Sequence, residues 1–234
     1  MFDALTPAEL EALRLSLKVS AVSAIAGLPV GFALAWLLAR YRFPGKTLLD
    51  AVVHLPLVLP PVVIGYLLLV LFGRRGPVGE WLEQTFGLVF AFRWTGAALA
   101  CALMGLPLLV RAIRQSLESI DRRLEDAAAT LGAGRLWVLA TVTIPLSLPG
   151  ILTGTLLSFA RSLGEFGATI TFVSNIPGET QTLPLAIYTF TQVPGGDPQA
   201  MRLCVLAVIL SLAALLASEL LVRGANRRIL GDAR

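Results

Sequence analysis

The sequence predicts an all-α integral membrane protein, a bundle of five transmembrane helices. Two observations carry this prediction: the composition is too apolar for an ordinary soluble domain, and the apolar residues form long runs. Of the 234 residues, 56% are hydrophobic and 15% are charged, and the mean hydropathy is +0.78. A helix needs roughly 20 mostly apolar residues to cross about 30 Å of hydrocarbon. Five segments meet that length: about 14–39, 50–72, 94–116, 148–172 and 201–222.

The first apolar run is expected to be a permanent helix. The preceding stretch, "MFDALTPAELEALR", carries Asp3, Glu9 and Glu11 and lacks the basic start of a cleaved signal peptide. We therefore expect a short N-terminal segment over residues 1–13, one membrane domain over 14–222, and a basic tail over 223–234.

The basic residues predict the orientation of the bundle. Twelve of the 19 Lys and Arg residues fall on one side of a five-helix threading. They are Arg40, Arg42, Lys46, Arg111, Arg114, Arg122, Arg123, Arg135, Arg223, Arg227, Arg228 and Arg234. By the positive-inside rule this side is cytoplasmic, so we expect the N-terminus outside and the C-terminus inside.

The composition also argues against two classes of site. The net charge of +4 comes from short basic clusters beside apolar runs, which indicates membrane topology and not a face for nucleic acid. Cys101 and Cys204 each stand alone in an apolar run, and His54 is the single histidine. Neither a disulfide framework nor a Cys/His metal site is therefore expected. We expect both cysteines to be small core residues and His54 to be an interfacial hydrogen-bonding residue.

A polar segment, "LEDAAATLGAGRLWVLATVTIP", interrupts the apolar runs at residues 124–145. Leu124, Ala128 and Leu131 recur at helical spacing, and Gly132 can close a helix because glycine adopts the left-handed conformation readily. The pattern predicts a short amphipathic surface helix. Such a helix lies on the membrane or on its own bundle in one interpretation, and inserts into the groove of a partner protein in the other.

The residue order of this segment resembles the EAA loop of ABC importer permeases, with Asp126 where a second glutamate is more usual. The resemblance places the loop at about 118–147 and implies that it docks on a cytoplasmic ATPase, both carboxylates meeting donors on that partner. The residues that the resemblance assigns to coupling are Leu124, Glu125, Asp126, Ala127, Ala128, Leu131, Gly132, Ile144 and Pro145.

Four further stretches resemble the permease subunits of molybdate importers. They are "FPGK", "HLPLVLPPVVIGYLLLV", "GRRG" and "FARSLGEFGATITFVSNIPGET". The resemblance implies a homodimer in the cell inner (cytoplasmic) membrane, served by two ATPase subunits and a periplasmic oxyanion-binding protein. ATP would be held by the ATPase, and this chain would bind no cofactor and catalyse no reaction. Tungstate or sulfate is an alternative cargo, and a small secondary transporter or a membrane enzyme is an alternative from a different class.

The chain agrees with that division of labour, because it lacks a phosphate-binding loop. Such a loop needs the pattern G-x-x-x-x-G-K-[ST]. The nearest stretch, "RYRFPGKT", has Arg40 at the first glycine position.

Two groups of residues are candidates for the translocation pathway. Pro56, Pro60 and Pro61 each remove a backbone donor from the second span, so the freed carbonyls either line a water-filled path or belong to a packed kink. Arg161 and Glu165 stand four residues apart in the fourth span and either attract an anion or lock the helix as an ion pair. The candidates that complete this second group are Gly164 and Gly167, for close helix approach, and Thr169, as a hydroxyl donor.

Overall fold

The computed structural model describes residues 5–230, and within that range the chain is helical with no β-strand. The helices are α1 (Pro7–Arg40), α2 (Lys46–His54), α3 (Pro61–Phe72), α4 (Pro77–Phe86), α5 (Trp94–Ser119), α6 (Arg122–Thr130), α7 (Arg135–Val138), α8 (Ile144–Leu163), α9 (Gly167–Val173), α10 (Leu183–Thr191) and α11 (Asp197–Leu230). A 3-10 turn, Leu55–Leu57, follows α2, and a π turn, Leu139–Thr143, joins α7 to α8. The outer residues of the N-terminal segment and of the basic tail lie outside the described range.

Four stretches in the described range are long and apolar enough to cross a membrane. They are Pro7–Arg40, Trp94–Ser119, Arg135–Leu163 and Asp197–Leu221. A fifth span results if Lys46–Leu57 and Pro61–Phe72, which meet at a bend of 109°, are counted together. The all-α multi-pass bundle is thus confirmed.

The second span, expected as one helix over 50–72, is interrupted at its prolines. Pro60 lies outside both helices, and Pro61 is the first residue of α3. A proline at the first position of a helix loses no internal hydrogen bond, whereas the residue before a proline is driven out of the helical region. The consecutive prolines therefore end one helical segment and start the next, and they do not kink a continuous helix.

The fourth span, expected over 148–172, begins earlier and ends earlier. Its apolar stretch starts at Arg135, inside the expected loop of 118–147, and α8 ends at Leu163. The backbone breaks between Gly164 and Phe166, and the short α9 follows. The prediction of one continuous helix was wrong here, because a run of apolar residues indicates the length of a span and does not show where the helix breaks.

Helix α5 is the centre of the bundle. In the most apolar stretch of α5, 61% of the residues are buried, against 12% in that of α11. Apolar side chains of α1, α5 and α8 pack together near the end of the bundle that holds α6. At the opposite end, Arg202 at the start of α11 binds the buried Glu9 at the start of α1, with Nη2 2.9 Å from Oε1.

Candidate functional site

Helix α6 is a short helix with a complete cap at each end. At its start, the Asp121 side chain accepts a hydrogen bond from the backbone N–H of Arg123 at 3.0 Å. At its end, the N–H of Ala133 bonds to the carbonyl of Ala128, and that of Gly132 to the carbonyl of Ala129. This pair of bonds is a Schellman motif, which needs a left-handed residue at Gly132; its φ is +88°. Caps of this kind hold a nine-residue helix together without deep burial.

The apolar side chains of α6 point away from the bundle. None of its nine residues, all within the described range, is buried. Leu124 is 51% exposed and Leu131, just after the helix, is 89% exposed. Trp137 in α7 is also largely exposed, and it closes one side of a hollow of about 380 Å³ at the elbow. The hollow is lined by Ala128, Leu131, Gly132, Ala133, Gly134 and Trp137.

The two adjacent carboxylates of α6 have different surroundings. Oε1 of Glu125 accepts a hydrogen bond from Arg40 Nη2 at 2.8 Å and another from Thr143 Oγ1 at 2.7 Å. Asp126 is exposed. One oxygen of the Glu125 carboxylate is therefore bound within the chain, and the expectation that both carboxylates meet donors on a partner stays a prediction.

The segment after the elbow returns to the bundle through the π turn. The N–H of Ile144 bonds to the carbonyl of Leu139, five residues back, and Pro145 follows with no N–H to donate. A π turn absorbs such a gap in the hydrogen-bond ladder, and turns of this kind are frequent at functional sites. Thr143, the last residue of the turn, is the one that donates to Glu125.

The two charged residues of the fourth span form an ion pair with each other. Arg161 Nη1 lies 2.7 Å from Oε2 of Glu165, whose side chain is 1% exposed. Oε1 of the same carboxylate accepts the N–H of Ala168, in the first turn of α9, at 2.8 Å. Glu165 thus neutralises Arg161 and occupies the positive N-terminal end of α9. Each of the two charges therefore has its counter-charge within the chain.

The breaks in the second and fourth spans lie side by side. A Cβ on Gly167, the first residue of α9, would come within 2.8 Å of the Pro61 side chain. One turn further, a Cβ on Gly65 would come within 2.5 Å of the carbonyl oxygen of Ala168. Helices α3 and α9 can pack this closely because both contact positions lack a side chain.

The remaining pathway candidates are divided between surface and interior. Pro60 and Gly164 are exposed next to the two breaks, whereas Pro56 is buried in the 3-10 turn. Thr169 is fully buried, and its hydroxyl donates to the carbonyl of Phe166 at 2.8 Å. The Thr169 hydroxyl therefore donates within the chain, at the start of α9.

Sequence reasoning missed the partners of Glu125. In the sequence, Arg40 indicates only membrane topology, and Thr143 stands between apolar residues with no pattern that points to Glu125. Among residues 5–230, no three His, Cys, Asp or Glu side chains come close enough to hold a metal ion.

Comparison with known proteins gives the family. The model of the family described as "Binding-protein-dependent transport system inner membrane component" matches residues 27–230. The chain belongs to this family. With respect to fold, the inner membrane component resembles a solved chain of the MetNI methionine ABC transporter in an inward facing conformation, with a TM-score of 0.72. That likeness covers 96% of this chain and 99% of the other at 17% sequence identity.

Two relatives of this inner membrane component are named as transport system permease proteins. The molybdenum transport system permease protein ModB of Escherichia coli (strain K12) is 61% identical over 224 residues, covering 96% of this chain and 98% of the relative. The sulfate transport system permease protein CysT of the same strain is 37% identical over 225 residues, covering 96% of this chain and 80% of the relative.

Proposed function

We propose that the chain is the permease subunit of an ATP-driven, binding-protein-dependent importer that carries molybdate across the cell inner membrane. The observation that carries this proposal is the 61% identity to the molybdenum transport permease over nearly the full length of both chains. Membership of the family speaks against the alternative of a small secondary transporter, since the family is described as binding-protein-dependent.

Helix α6 is the proposed contact with the ATPase. Its apolar residues are exposed, its caps make it a rigid unit, and the hollow at Gly132 offers small residues to an approaching surface. Exposed apolar surface rimmed by charged residues is typical of a protein interface. ATP is bound and hydrolysed on the partner, and the permease receives the resulting movement through α6.

The pathway lies at the two-fold axis of a homodimer in this proposal, close to the paired breaks of α3 and α9. The ion pair between Arg161 and Glu165 supports a pathway that does not hold its anion firmly. A translocation path must release its ion, and a site with a free buried cation would hold a dianion too firmly. In this proposal the periplasmic binding protein selects the anion. Arg161 and Glu165 stabilise the conformation of the fourth span.

The proposed orientation places α6 in the cytoplasm, with the N-terminus outside and the C-terminus inside. The end of the bundle that holds α6 also holds Arg40, Lys46 and Arg135, and basic residues favour the cytoplasmic side.

Sulfate and tungstate remain the alternative cargoes, because all three anions are tetrahedral and doubly charged. Uptake of labelled molybdate by cells that lack their own molybdate permease and express this chain with its ATPase and binding protein tests the choice. We expect molybdate uptake that excess tungstate reduces and excess sulfate leaves unchanged. Uptake of labelled sulfate with no molybdate uptake would contradict the proposal.

A further inference from the structure

One carboxylate oxygen joins three separate parts of the chain. Oε1 of Glu125, in α6, accepts from Arg40 at the last position of α1 and from Thr143 at the end of the π turn. The Arg40 side chain is 11% exposed and the Glu125 side chain is 20% exposed. Both side chains are mostly buried, so removing one partner leaves the other without its counter-charge, which is costly.

This contact is a polar link in a helix that is otherwise loosely held. Every residue of α6 is at least partly exposed, and the neighbours of α6 are α7 and the π turn. Apolar packing of α6 against the long helices is therefore small, and the bond to Arg40 connects it directly to a spanning helix 85 residues earlier in the sequence.

We propose that Glu125 is a positioning residue that clamps α6 to α1 and α8, so that movement of α6 is passed to both spanning helices at once. The bond to Arg40 pulls on the end of α1, and the bond to Thr143 pulls on the start of α8. Asp126 and the exposed apolar side chains remain available for the partner. This inference rests on the proposed docking of α6 on an ATPase.

The test compares variants of the full complex reconstituted in liposomes. Glu125→Gln removes the charge and keeps the shape, and Arg40→Gln removes the other half of the pair. Thr143→Val removes the hydroxyl, whereas Thr143→Ser retains it. Glu118→Gln is the matched control, because Glu118 pairs with Arg114 on the exposed surface near the same end of the bundle.

We expect Glu125→Gln and Arg40→Gln to retain the ATPase and to hydrolyse ATP, while the oxyanion transported per ATP falls about tenfold. Thr143→Val should lower the same ratio, and Thr143→Ser and Glu118→Gln should leave it unchanged. The double variant Arg40→Gln/Glu125→Gln should be no worse than either single one, because both remove one interaction.

Three results would overturn the clamp. One is an unchanged transport ratio in Glu125→Gln, and a second is additive losses in the double variant. The third is loss of the ATPase from the Glu125→Gln complex, which would make Glu125 a partner contact. If Glu125→Gln does not accumulate, the exchange Arg40→Glu/Glu125→Arg decides: recovery of the ratio above that of Arg40→Gln supports the clamp, and no recovery contradicts it.

Failure of the docking proposal has a different signature. Ala128→Trp fills the hollow at the elbow and should expel the ATPase by steric exclusion. If that variant keeps both the ATPase and normal transport, α6 is not the docking site. If Ala128→Trp loses the ATPase while Glu125→Gln behaves as wild type, the docking of α6 is supported and only the proposed role of Glu125 is contradicted.

Discussion

In α6, two residues that are adjacent in sequence have different surroundings. Consecutive residues of a helix point about 100° apart, so Glu125 turns toward the bundle and Asp126 toward the surface. The sequence predicted a surface helix with two carboxylates. It could not predict that Arg40 binds one of them, because that contact depends on how helices distant in sequence pack.

The elbow at Gly132 gives a prediction at this scale. Gly132→Val should strain the backbone by about 1–2 kcal/mol, since φ is +88° and a branched side chain disfavours that conformation. No neighbouring atom lies within 4 Å of the added Cβ, so the effect is one of conformation and not of collision. We expect reduced transport per ATP with normal membrane insertion.

Gly134→Ala is the matched control for the elbow. Gly134 is also surrounded by open space, but its φ is −68°. This variant should transport as wild type. Equal losses in both variants would mean that α6 does not require the left-handed elbow.

The ion pair of the fourth span gives a second prediction. Arg161→Gln leaves the buried Glu165 without its counter-charge and should destabilise the purified permease by about 3–5 kcal/mol. The double variant Arg161→Gln/Glu165→Gln should recover most of that loss. Thermal unfolding in detergent measures both, and a double variant less stable than Arg161→Gln would contradict a mainly structural pair.

At the level of helices, hydropathy predicted the spans and missed their breaks. The long apolar runs of α1, α5 and α11 give helices near the expected positions because length and composition suffice there. The breaks at Pro60–Pro61 and at Gly164 lie inside the runs that were expected to form single spans, and hydropathy alone does not show where a helix breaks. Their contact through Gly65 and Gly167 arises only when α3 and α9 pack.

The exposed face of α6 gives a prediction at the scale of the element. Ala128→Trp should lower the amount of ATPase that copurifies with the permease, since a large side chain blocks the hollow lined by Ala128 and Gly132. Ala51→Trp, at an exposed position on α2, is the control and should retain the ATPase. Equal retention in both variants would place the docking surface elsewhere.

For the whole molecule, the contacts at the two ends of α1 link the end of the bundle that holds α6 to the opposite end. Helix α1 runs from Glu9, which is held by Arg202 of α11, to Arg40, which is held by Glu125 of α6. A movement of α6 therefore reaches the far end of the bundle through a single long helix. Packed helices transmit such movement as rigid bodies, because their interfaces do not deform continuously.

Molybdate transport by this chain requires that ATP hydrolysis on the partner respond to the delivered anion. The permease is reconstituted with its ATPase in liposomes, and hydrolysis is measured with the periplasmic binding protein empty or loaded with molybdate, tungstate or sulfate. We expect the molybdate-loaded protein to stimulate hydrolysis and to deliver molybdate into the lumen. Stimulation by the sulfate-loaded protein alone, or no stimulation by any loaded form, would contradict molybdate transport by this chain.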